Sequence, residues 1–161
     1  MSTQSIILIL VMALTSAGHA ASDDIYQSIE KVKIKLQNTT DFEVRKKDFM
    51  KFYGHTCLQR QALRTKTIQA HKQFENSQIS LEAMTDIDLE RYNYYDLCDF
   101  LKEIPLTKNM ALTNKTCDTF LNDLKRSSHE DTLPGEAPEN PAKDLNFQAA
   151  LIGQSLYRCR P

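Results

Sequence analysis

Apolar residues along this chain recur at steps of three and four and almost never alternate. That pattern belongs to helices packed through one face, not to half-buried strands. Behind Ser22 and Asp23, which supply N-cap chemistry, Ile25, Ile29, Val32 and Leu36 mark the inner stripe of a short first helix that the turn around Asn38 stops. A second periodic segment, 41–76, carries Phe42, Phe49, Tyr53, Cys57, Leu63, Ile68 and Phe74 as its expected apolar face. With Gly54 inside it, the segment fits one long helix or two. Thr85 and Asp88 resemble a capping box ahead of Ile87, Tyr94, Cys98 and Leu101, so a third helix is expected from 85 until Pro105 ends it. Leu106, Met110, Cys117, Leu121 and Leu124 fit the seam of a fourth helix over 107–126. Leu145, Ala149, Ile152, Leu156 and Cys159 recur at steps of 4, 3, 4 and 3, and Asn140 followed by Pro141 predicts the start of this fifth helix. Residues 127–140, "SSHEDTLPGEAPEN", hold two prolines, a glycine and four acidic side chains and read as an exposed acidic loop. The fold class predicted is all-α: a disulfide-linked bundle of four main helices plus the short N-terminal one.

The first twenty residues change the picture of where the chain works. A polar start, the apolar stretch Ile6 to Leu14 and small residues ending at Ala20 predict a secretory signal peptide cleaved near Ala20, although no Lys or Arg precedes the apolar stretch. The stretch is shorter than the ~20 apolar residues that span a bilayer. The expectation is therefore a secreted or periplasmic product, residues 21–161, with one helical domain and no transmembrane segment. Its four cysteines, an even number in an exported chain, predict two disulfides. Their spacings of 41, 19 and 42 residues contain no CxxC pair and argue against zinc. Placing four straight helices, 41–76, 85–104, 107–126 and 141 to the end, up and down in turn at about 1.5 Å per residue favours Cys57 with Cys159 and Cys98 with Cys117. Two Asn-x-Thr sequons, at Asn38 and Asn114, leave glycosylation open.

Charge and side-chain chemistry narrow the function by exclusion. A net charge of −1 argues against nucleic acid as partner. No GxSxG turn, HExxH helix or phosphate-binding glycine loop is present, and the acidic side chains of 86–99 lie along one helix as a solvated face. His71 and Glu75 share a helix face, but no further ligand supports a metal. A non-enzymatic protein without cofactor or metal is expected. The charge is unevenly divided: 41–75 holds eight basic against four acidic residues, and 85–103 holds six acidic against two basic. Antiparallel packing of these two helices would pair them. Arg60, Arg64 and His71 also line one helix face suited to an anionic surface, and Tyr92 and Tyr95 fall outside the inner stripe of their helix, where tyrosines serve as contact residues. The expected function is a small exported binding module for a protein partner, such as an inhibitor, an immunity protein or a secreted host-interaction factor. The alternatives are a helical carrier of a small apolar ligand and a binder of anionic lipid headgroups through the basic helix face.

Overall fold

The structure, a computed structural model, describes residues 17–107, 109–127 and 143–159. The expected signal segment lies outside the described residues as far as position 16, and 17–20 open the first helix. The acidic loop lies outside them from residue 128, as do Asn140 and Pro141. Five helices and no strand are found among the described residues: α1 (Ala17–Asn38), α2 (Phe42–Glu75), α3 (Leu81–Lys102), α4 (Met110–Ser127) and α5 (Leu145–Tyr157). The all-α, disulfide-linked bundle is thus the observed fold.

α5 is the axis of the bundle and packs on each of the other four helices. Its stripe Leu145, Ala149, Ile152 and Leu156 is buried as its spacing requires, and Gln148, Ala150, Gly153, Ser155 and Tyr157 are buried beside it. A helix enclosed on every side must be apolar or small-residued all round, not amphipathic. Gly153 shows why: a Cβ there would lie 2.3 Å from Cζ of Phe120, so glycine is what lets the ring of α4 rest on the α5 backbone. α1 contributes Ile25, Ile29, Val32 and Leu36, all buried in the same core. α1 is as long as α3, 22 residues each, and packs on α2, α3 and α5 as a full member of the bundle.

α2 is one continuous helix, with Gly54 inside it. Its buried positions Phe42, Phe49, Thr56, Leu63 and Ala70 recur every seven residues, the repeat that keeps one seam turned to a neighbouring helix. The neighbour is α3, antiparallel to it, and the two form the most extensive helix pair in the molecule. This seam corrects the expected core of α2, because Ile68 and Phe74 fall at 50% and 38% exposure while Thr67 and Ala70 are buried. α3 also starts earlier than expected: the Ser80 hydroxyl accepts from Ala83 N at 3.1 Å as N-cap, and Thr85 lies within the helix with its hydroxyl donating to the Leu81 carbonyl. α5 starts later than expected, at Leu145, where the Asp144 carboxylate accepts from Asn146 N and Phe147 N at 2.8 and 3.1 Å.

These boundaries overturn the expected cysteine pairing. The disulfides are Cys57–Cys98 and Cys117–Cys159, with Cα separations of 5.2 and 5.6 Å. Starting α3 at 81 and not 85 moves Cys98 by four residues, or about 6 Å along the axis, which removes most of the height difference that argued against Cys57. Cys159 lies beyond the end of α5, after a left-handed Arg158 that turns the chain, so counting helical rise does not place it.

Candidate binding face

The open end of the α2–α3 hairpin, the start of α2 and the end of α3, is built into the bundle, and the closed end extends past it as a two-helix arm. Near the base, Asp48 of α2 meets Lys35 of α1 at 2.7 Å, and Leu97 and Leu101 of α3, with Ile104 just beyond its end, are buried in the core. From His71 to Asn93 no residue of either helix is buried. With 3.6 residues per turn, Arg60, Arg64 and His71 lie within about 40° of one another on α2 and roughly 120–160° from Asp48. On α3, Asp88, Tyr92, Tyr95 and Asp99 lie roughly 140–180° from Leu97 by the same count. One side of the hairpin therefore faces α1 and α5. The other, the free face, gathers all five residues proposed from sequence.

Their individual environments differ. Arg60 is committed to α3: Nη1 donates to Oδ1 of Asp99 at 3.0 Å and its guanidinium stacks 3.9 Å from the Tyr95 ring centroid. The same Nη1 lies 3.9 Å from Sγ of Cys98, so the arginine sits beside the disulfide that joins the two helices. His71 Nε2 is 2.8 Å from Oδ2 of Asp88. On the bundle-facing side of the seam, Lys66 meets Glu90 at 2.8 Å. The opposite charges of the two helices are thus used in part to pair them, as antiparallel packing requires. These partly exposed pairs set register more than they add stability. Partial loss of hydration and the neighbouring charge of Asp99 hold the Asp96 carboxyl above its ordinary pKa.

Arg64 is exposed and makes no ion pair among the described residues. Arg91 stands over the ring of Tyr92 at 5.4 Å and also forms no ion pair there. Tyr92 and Tyr95 are 56% and 40% exposed, in agreement with their expected place outside the inner stripe. Ile68 joins them on the free face, about 40° from Arg64 on the helix. The sequence pattern, which placed Ile68 in the core, missed this contribution; so did a reading of α2 charges that left out Arg91. No group of three or more His, Cys, Asp or Glu side chains among the described residues is arranged to hold a metal.

Two concavities lie elsewhere. One, about 480 Å³, opens between the end of α3, α4 and α5 and is lined in part by Phe100, Ile104, Pro105, Phe120 and Ala149; the other, about 340 Å³, lies beside Lys33, Gln154 and Arg158. Both are open to solvent. No helix among the described residues is long and apolar enough to cross a membrane. No family model matches the chain, and neither the curated proteins nor the solved structures include a match to it.

Proposed function

We propose that this protein is an exported, non-enzymatic binding module that engages a protein partner through the free face of the α2–α3 hairpin. One observation carries the reading. Two tyrosines, Tyr95 stacked under Arg60 at 3.9 Å and Tyr92 with Arg91 over its ring at 5.4 Å, stand exposed with Ile68 on a face that no other described helix covers. Tyrosine and arginine are the residue types that concentrate at protein interfaces, because each offers a rigid or planar contact area with a polar end. The two disulfides fit an oxidising compartment. Binding of anionic headgroups through the basic face of α2 is the weaker reading, since Arg60 and His71 already face carboxylates of α3. The carrier reading rests on the apolar side chains of the groove between α3, α4 and α5.

The test uses wild type and an Ile68→Ser/Tyr92→Ser variant as baits for proteins of the producing organism and its surroundings, with the fold of each checked by circular dichroism. A partner held in fixed stoichiometry by wild type and at least tenfold more weakly by the variant is the expected result. Equal retention by both baits rules out this face. An apolar small molecule extracted from the purified protein, with no protein retained, would favour the carrier.

A further inference from the structure

The free face holds two arginines, Arg64 and Arg91, that form no ion pair among the described residues. Arg60 and Lys66 fix the register of the hairpin through Asp99 and Glu90, and Arg64 falls between them on α2. Measured from the Lys66–Glu90 contact, Arg64 lies about 3 Å and Arg91 about 1.5 Å toward the base of the arm, so the two stand at nearly one height on opposite sides of the seam. Both point to the free side, Arg64 within about 40° of Arg60 and His71, Arg91 about 40° from Tyr95. Of the carboxylates on this face, Asp99 pairs with Arg60 and Asp88 lies 2.8 Å from His71 Nε2. Like charges set level across a helix pair repel unless an anion lies between them.

Resting on the binding-module reading, we infer that the partner presents an acidic segment whose carboxylates enter between Arg64 and Arg91, with its apolar side chains against Ile68, Tyr92 and Tyr95. Charge complementarity selects this occupant. A guanidinium pair offers planar, two-pronged donors that match carboxylates, and the aromatic rings beside it supply the apolar rim. The bundle-facing side of the same arm carries Glu82 and Asp86, whose charge disfavours laying the arm into an anionic bilayer and leaves a protein segment as the better fit.

The experiment titrates isotope-labelled protein with a synthetic peptide of repeated Glu-Glu-Leu-Tyr units and follows the arginine Nε–Hε and the backbone resonances. Saturable shifts at Arg64, Arg91, Tyr92 and Tyr95 are expected, with binding weakened at least tenfold in Arg64→Glu/Arg91→Glu and by raising salt from 50 to about 300 mM. A Lys47→Glu/Lys51→Glu variant, equal in charge change but about 20–25 Å nearer the start of α2 and roughly 100–140° round the helix from Arg64, is expected to bind like wild type. The inference falls if millimolar peptide leaves these resonances unmoved, if the two charge variants lose binding equally, or if phosphatidylglycerol vesicles bind wild type more tightly than the peptide does. It also falls if sedimentation shows a second copy of the chain covering this face. Loss of the natural partner in Ile68→Ser/Tyr92→Ser but not in Arg64→Glu/Arg91→Glu would remove the acidic segment while leaving the binding face standing.

Discussion

Arg45 is a buried charge that forms no ion pair among the described residues. Its Nε donates to the Leu156 carbonyl at 2.7 Å, and Nη1 donates to the carbonyls of Thr39 and Thr40 at 2.9 and 2.6 Å. Those carbonyls lie at the C-terminal ends of α5 and α1, where helices leave acceptors unmatched and where a cation is favoured by the helix dipoles. Burial, and to a lesser degree the charge of Arg158, lower its pKa, while Asp41 acts the other way; a guanidinium stays charged under such pressure. One side chain thus ties three helices together. Arg45→Met should cost about 3 kcal/mol or more in urea denaturation, because it removes charged hydrogen bonds and strands their acceptors, and Arg45→Lys should restore only part of that. Thr67 is the opposite case, a buried hydroxyl with no hydrogen-bond partner on the α2–α3 seam. Thr67→Val keeps the shape and removes the unmet group, so a gain of roughly 1 kcal/mol in the same measurement is expected.

At the scale of elements, two helices end in the same motif without the residue that favours it. After α2, Ser77 takes φ 56°, with its N–H bonded to the Phe74 carbonyl and that of Gln78 to Gln73, both at 2.8 Å. After α5, Arg158 takes φ 53°, with Cys159 N donating to the Gln154 carbonyl at 3.0 Å. Both are Schellman ends, whose left-handed position is most often glycine. Ser77→Gly and Arg158→Gly should each raise stability by about 0.5–1 kcal/mol, read as a Tm increase of roughly 1–4 °C. The same ends explain what the sequence did and did not disclose. The stripes of α1 and α5 were legible because Ile25, Ile29, Leu36, Ile152 and Leu156 are apolar residues at apolar positions. The seam of α2 was not, because Thr56, Thr67 and Ala70 occupy it while Ile68 and Phe74 project outward; only the seven-residue spacing marks it. With no glycine after α2 and no box residue after Ser80, the turn between α2 and α3 carried weak signals, and the misplaced start of α3 passed directly into the cysteine pairing. The basic and tyrosine members of the free face were legible from helix phase, but Arg91 was not, because its role depends on which α2 residue lies level with it.

For the whole molecule, the disulfides leave an unusual division of labour. One closes the α2–α3 hairpin and the other links α4 to the end of α5, spanning 41 and 42 residues, so no covalent bond beyond the backbone joins the two pairs of helices. In the chain-entropy model each bridge stabilises its own loop by about 4 kcal/mol. Holding the two pairs and α1 together falls to the α5 core, to Arg45 and to two phenols. Tyr157 donates to the Pro105 carbonyl and accepts from Thr107 N at 3.1 Å, which fastens the connection between α3 and α4 to the end of α5. Tyr26 of α1 donates to the Lys143 carbonyl at 2.8 Å, just ahead of α5. Burial raises the pKa of both, aided at Tyr26 by the charge of Asp144 and opposed at Tyr157 by the Thr107 N–H. A phenol whose folded pKa exceeds its unfolded value of about 10 favours folding fully below that pH, and that contribution is lost as pH rises through the folded value. Urea midpoints should therefore hold between pH 8 and about 9.5 and fall above pH 10. Tyr26→Phe/Tyr157→Phe should be less stable at pH 8, having lost two hydrogen bonds, yet decline less steeply above pH 10. Lysine deprotonation affects both proteins alike, so the difference between the two curves isolates the phenols. Parallel curves for wild type and the double variant would mean that these tyrosines do not bind the two halves of the bundle together.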